Sequence, residues 1–171
     1  MENRSDAKVL GGILEPIGSV EVSGPSIFSL RKLGLSVQGY DVSTSKHFRE
    51  VFDKLPETQL GKRPVHAWRL LEVNPQERIT ASKIFSHFRP EISLVDIGHV
   101  KEVLALQLHK KSPALLNEDA LGNIFCAKGA DGKPCTVRLS RTKPGSWVYS
   151  AVFAPGPLAD THIPGTHVLS Y

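Results

Sequence analysis

Residues 123–153 constrain the fold most, because their apolar side chains recur at every second position between two turn signals. Cys135-Thr136-Val137-Arg138-Leu139-Ser140-Arg141 alternates apolar with polar, as a strand with one wet face does. Asn123-Ile124-Phe125-Cys126-Ala127 precedes it and leads into Gly129-Ala130-Asp131-Gly132. Lys143-Pro144-Gly145-Ser146 follows, with Pro and Gly in the order a type II turn prefers. Trp147, Tyr149, Ala151 and Phe153 then share one face of a further extended segment. The pattern predicts a three-stranded antiparallel meander.

Upstream, residues 41–122 read as helical. Ser45 is placed to cap a helix whose Phe48, Val51, Phe52 and Leu55 lie on one stripe, ending at Pro56. Pro64 suits a first helical position ahead of Val65-His66-Ala67-Trp68-Arg69-Leu70-Leu71, and Asn74-Pro75 stops that segment. Thr80 caps a third helix with Ala81, Ile84, Phe85 and Phe88 on its apolar face. Asp96 opens a fourth, with Ile97, Val100, Val103, Leu104 and Leu108 facing inward and Lys110-Lys111 against its C-terminus. Ser112-Pro113 begins a short fifth helix closed by Gly122.

Residues 1–40 lack helical periodicity. Short alternations at Ser19–Ser23 and Leu33–Val37 predict an extended arm with brief strands, lying on the rest of the protein or on a neighbour. Residues 154–171, rich in Pro and Gly, read as a tail along the surface. The expected fold class is thus α+β: a helical middle section (41–122) packed on a C-terminal three-stranded antiparallel meander (123–153), with an extended N-terminal arm. The arm is set apart from a single domain spanning 41–171.

Composition narrows the function classes. A chain of 171 residues can bury roughly 68–70% of its unfolded surface without staples. Its longest apolar run, Val103-Leu104-Ala105-Leu106-Gln107-Leu108, falls far short of the roughly 18 residues of a membrane span. The opening Met1-Glu2-Asn3-Arg4-Ser5-Asp6 lacks a signal peptide's apolar stretch, so an intracellular protein that does not engage membranes is expected. Cys126 and Cys135 flank the Gly129–Gly132 tetrad. If that tetrad is a hairpin loop, they sit opposite each other on adjacent strands, and two reduced thiols are the expected state. No second Cys/His pair offers zinc spacing, and no cofactor is expected.

Residues 67–88 carry a motif: Leu70-Leu71, two residues, Asn74-Pro75, two residues, Arg78-Ile79-Thr80-Ala81, then His87 six positions later. This resembles the last helical portion of a eukaryotic-type protein kinase domain. The resemblance implies that Arg78 would pair with a buried glutamate of an activation segment, yet Leu55-Pro56-Glu57 lies too close to supply one. Asp96-Ile97-Gly98 imitates the metal-binding Asp-Phe-Gly but follows the matched segment. The Gly-rich loop, the lysine strand and the His-Arg-Asp loop are missing, so kinase activity is not expected. An inherited fragment and a chance match both remain open.

A net charge of +4 is thin over this length. It concentrates locally in Lys128, Lys133, Arg138, Arg141 and Lys143, where cations on a small sheet suit phosphates and Trp147 or Tyr149 could stack on bases. Asp160, His162 and His167 form a weak metal or general-base candidate, and His99 with Glu102 a base and its orienter one helical turn apart. No catalytic residue is assigned. Three readings follow, in order: a non-enzymatic interaction or assembly protein, as subunit of a larger complex with a protein partner or as a homo-oligomer; a nucleic-acid-binding module using the 128–143 hairpins; and a His-dependent or metal-dependent hydrolase or nuclease using His162 and His167.

Overall fold

A computed structural model describes residues 10–23, 39–72, 74, 76, 79–152, 161–162 and 164–171. Along the chain run β1 (Leu14–Val22), β2 (Asp41–Thr44), α1 (Lys46–Phe52), β3 (Arg63–Leu70), β4 (Ile79–Thr80) and α2 (Ala81–Phe85). They continue with α3 (Pro90–Ser93), α4 (Ile97–Leu108), β5 (Asn123–Lys128), β6 (Pro134–Lys143), β7 (Ser146–Val152), β8 (Thr161–His162) and β9 (His167–Ser170). A seven-stranded sheet in the order β1-β3-β9-β5-β6-β7-β2 dominates the fold, and β4 and β8 pair separately. The large sheet is mixed: β5 runs parallel to β9 and β2 parallel to β7, while its other pairs are antiparallel.

The meander is present as β5, β6 and β7, with Asn123 opposite Leu139 and Leu139 opposite Tyr149. It is, however, one part of a larger sheet, which overturns the expected helical middle packed on three strands. The correction is sharpest at β3. Val65 and Ala67 join the core cluster that α1 and α4 cover, whereas Trp68 and Leu70 join a second cluster with Ile79, Ile84 and Phe88. Each face of β3 thus meets a cluster over part of its length, so apolar residues stand on both faces and the period of two breaks between Ala67 and Trp68. Pro64, taken for a helix start, occupies the second residue of that strand.

Residues 112–122 hold no helix either. Gln107 pins that loop: its amide oxygen accepts from Leu116 N–H at 2.7 Å and its amide nitrogen donates to the Leu116 carbonyl at 3.0 Å. Asn123 does the same for Asn117, accepting its N–H at 2.6 Å. The caps themselves are where the residues place them. Ser45 Oγ accepts from Phe48 N–H at 3.1 Å, and Thr80 Oγ1 from Lys83 N–H at 3.2 Å. Helix α1 nevertheless ends at Phe52, before the expected Pro56.

Residues 14–22 and 167–170 both enter the sheet. The alternation at Ser19–Ser23 falls largely within β1, a strand at the sheet's edge, while Leu33–Val37 lies outside the described residues. Of the expected surface tail 154–171, residues 167–170 are instead β9, inserted between β3 and β5, with Val168 and Leu169 fully buried, while 154–160 and 163 lie outside the described residues. The cysteines are offset by one position. Cys126 faces Thr136 and Ala127 faces Cys135, so the two thiols point to opposite sides of the sheet. Burial pushes the Cys126 thiol up to about 11 and raises Cys135 as well.

Candidate functional site

The basic residues of 128–143 are not brought together. Lys128 and Lys133 are exposed at one end of the β5–β6 hairpin, and Lys143 is exposed at the other. Ten residues of β6 separate the ends by about 33 Å. Arg138 and Arg141 project from opposite faces, since Val137 and Leu139 belong to the core on the α1 and α4 side. Arg138 Nη2 donates to His162 Nδ1 at 3.3 Å, and Arg141 Nη1 donates to Glu118 Oε2 at 2.8 Å. Trp147 and Tyr149 are buried, so neither ring offers the exposed face that stacking on a base requires.

The histidines separate in the same way. His162 is buried against Arg138, whereas His167 shares the face of Leu169 and donates Nδ1–H to the Leu115 carbonyl at 2.8 Å. Burial lowers the His167 pKa, favouring the neutral ring, and that carbonyl offsets part of the effect. Asp160 lies outside the described residues, among which no group of three possible metal ligands converges. His99 does not meet Glu102 as its partner: the Glu102 carboxylate accepts from Ser23 N–H at 3.3 Å.

His99 belongs to a different cluster. It is 1% exposed, and its Nε2 donates to the Gly61 carbonyl at 2.8 Å, which fixes that proton because a carbonyl only accepts. Its Nδ1 meets the hydroxyl of Tyr171. The same hydroxyl donates to Asp96 Oδ2 at 2.8 Å and accepts from Asp96 N–H at 2.9 Å. The Arg63 guanidinium lies 3.7 Å from the centroid of the Tyr171 ring. Burial holds the Tyr171 phenol well above its ordinary value, so it remains a neutral donor. The network ties the start of α4 to the strand end and to the loop before β3.

Asp96 also lines a pocket of about 170 Å³. Leu55, Pro56, Thr58 and Leu60 from the α1–β3 connection form one wall, Val95 and Ile97 another, and Ala127 and Lys128 at the end of β5 a third. An apolar cavity of about 150 Å³ accommodates a benzene ring, so this one has room for a single large side chain. The Asp96 side chain, 55% exposed, caps no backbone N–H of α4 because its carboxylate is turned to Tyr171. The site has a definite chemistry: an apolar recess with an oriented carboxylate and an ammonium at its rim.

Of these residues, the position of Asp96 at the start of α4 and the apolar stripe of that helix are legible locally, although the Asp96 side chain turns to Tyr171 instead of capping the helix. Lys128 is legible only as one of the basic residues of the hairpins. Tyr171 and Gly61 are not legible, since the contacts that recruit them span 72 and 38 residues. Nor does any local pattern mark Leu55 and Leu60 as pocket walls. In the kinase-like stretch, Thr80 performs its capping role, Ala67–Leu70 lies in β3, and Arg78 is outside the described residues. That likeness rests on its motif alone, for no family model, curated protein or solved structure matches the chain.

Proposed function

We propose that this chain is a non-enzymatic interaction protein, a subunit of a larger complex, that receives an apolar side chain of a protein partner between the α1–β3 connection, the start of α4 and the end of β5. The observation that carries the reading is the pocket itself: half-buried Leu55 and Leu60, with Val95, Ile97 and Ala127, around a ring-sized space. Anchors of this kind dominate protein interfaces because one well-packed side chain excludes water over a wide contact. Charge complementarity selects the neighbourhood of the anchor. Asp96 Oδ2 is engaged by Tyr171, and the carboxylate as a whole remains at the rim, where a partner's lysine or arginine would meet it. Lys128 across the recess favours an acidic residue on the partner's other side.

The test is affinity capture of nuclease-treated native extract on the full chain, with Leu60→Glu and Thr58→Trp captured in parallel and checked for folding by circular dichroism. The expected result is a protein partner that survives nuclease and is depleted about tenfold or more by both folded variants, as for an interface hot spot. Equal capture by the variants overturns the pocket as the anchor. Loss of all partners on nuclease treatment, with affinity falling steeply in salt, overturns the reading in favour of the nucleic-acid alternative at Lys128, Lys133 and Lys143.

A further inference from the structure

A second pocket, of about 390 Å³, opens at the other end of α4, about 18 Å along the helix from the first. This volume falls in the range of small-molecule sites, and the wall includes Tyr40, Gln107, Lys110, Glu118, Arg141 and Trp147. We infer that this pocket binds a small anion, a carboxylate or phosphate monoester, carrying a compact aromatic body.

The arrangement of charge supports an anion. Both carboxylate oxygens of Glu118 are committed, one to the Gln107 amide at 3.2 Å and one to Arg141 Nη1 at 2.8 Å. Gln107 is itself held by Leu116. Glu118 thus orients the Arg141 guanidinium through one of its five N–H groups, leaving a planar fork beside the pocket. Lys110 adds a second cation, so the ionised groups of the wall carry one positive charge in excess. Tyr40 and Leu108, both half-buried, supply apolar surface for the body of the ligand.

Lys110 carries an independent observation. It is the only non-glycine residue with positive φ among the described residues, at 55°. It occupies the left-handed position of a helix-ending motif in which Lys111 N–H donates to the Leu106 carbonyl at 2.8 Å and Lys110 N–H to the Gln107 carbonyl at 2.9 Å. Glycine is the residue this position favours. A lysine there keeps a strained backbone while lining the pocket, and backbone strain of this sort concentrates at ligand sites. The same two bonds satisfy the Leu106 and Gln107 carbonyls at the helix end.

The experiment is titration of the full chain with phenyl phosphate, inorganic phosphate, benzoate and neutral benzyl alcohol, followed by amide and indole NMR shifts. Saturable binding of phenyl phosphate, benzoate or both is expected, with shifts clustered at Tyr40, Lys110, Arg141 and the Trp147 indole. Which of the two binds more tightly distinguishes a phosphate ligand from a carboxylate. Arg141→Gln and Lys110→Asn should each weaken the preferred anion about tenfold, the loss of one charge-assisted contact. Lys110→Gly should weaken it equally while raising the melting temperature, which separates binding from folding. Failure of both aromatic anions to saturate at millimolar concentration overturns the inference. So does equal binding of benzyl alcohol or inorganic phosphate, or unchanged affinity in a Lys110→Gly variant that has become more stable.

Discussion

Tyr149 shows how far a single residue's role depends on neighbours that are remote in sequence. Its place on the apolar face of β7 follows from alternation with Trp147, and its ring packs against Phe48 at 5.7 Å and Phe125 at 6.5 Å between centroids. Its hydroxyl is buried and has no hydrogen-bond partner among the described residues. Burial pushes this phenol well above its ordinary pKa, so it stays uncharged. An unsatisfied buried hydroxyl costs about 1–3 kcal/mol, and removing it while keeping the ring recovers part of that. Tyr149→Phe should therefore be at least as stable as the parent, with a gain of up to about 1 kcal/mol seen as a higher urea midpoint. A lower midpoint would mean that the hydroxyl is engaged in the folded protein. Ser45 and Thr80 are the opposite case: each caps a helix through a bond to the residue three positions on, so both roles could be read directly.

Elements were legible where one face is wet and obscure where both are covered. β6 keeps its alternation because Thr136, Arg138 and Ser140 are only half-buried. β3 sits between β1 and β9 with Val65 and Ala67 in one cluster and Trp68 and Leu70 in the other, and that spacing of apolar residues fits a helical stripe equally well. β9 brings a titration into the sheet. His167 has its pKa lowered first by burial and further by Arg69, with the Leu115 carbonyl acting in the opposite sense. Because the unfolded chain then binds the proton more tightly, the contribution is present above the unfolded value of about 6.5 and is lost as pH falls toward the lower folded value. His167→Gln, whose amide can still donate to Leu115, should flatten the loss of stability below about pH 6.5. Urea midpoints measured across that window check it, and an unchanged slope would remove His167 as the source.

Across the whole molecule, the last residues matter most. Leu169 is fully buried in the cluster beneath α1 and α4, and among the described residues β9 alone joins the β1–β3 pair to the β5–β6–β7–β2 half of the large sheet. Leu169→Ala should cost about 2–5 kcal/mol, the range for a large-to-small change in a core. A surface tail would show a change within about 0.5 kcal/mol, so chemical denaturation distinguishes the two. Tyr171, beyond that strand, reaches across to Asp96 and His99, which makes the first pocket dependent on the same segment.

Period, turn chemistry and capping act between residues a few positions apart, and so the meander, the start of α1, the start of α2 and the apolar stripe of α4 could be read from the chain alone. Strand order, the covering of β3 on both faces, the insertion of β9 and the pairing of Tyr171 with His99 rest on contacts between distant segments. Such contacts leave no local periodic mark, because any apolar segment can pack against many others. Packing selects among them, and with them the two pockets at the ends of α4.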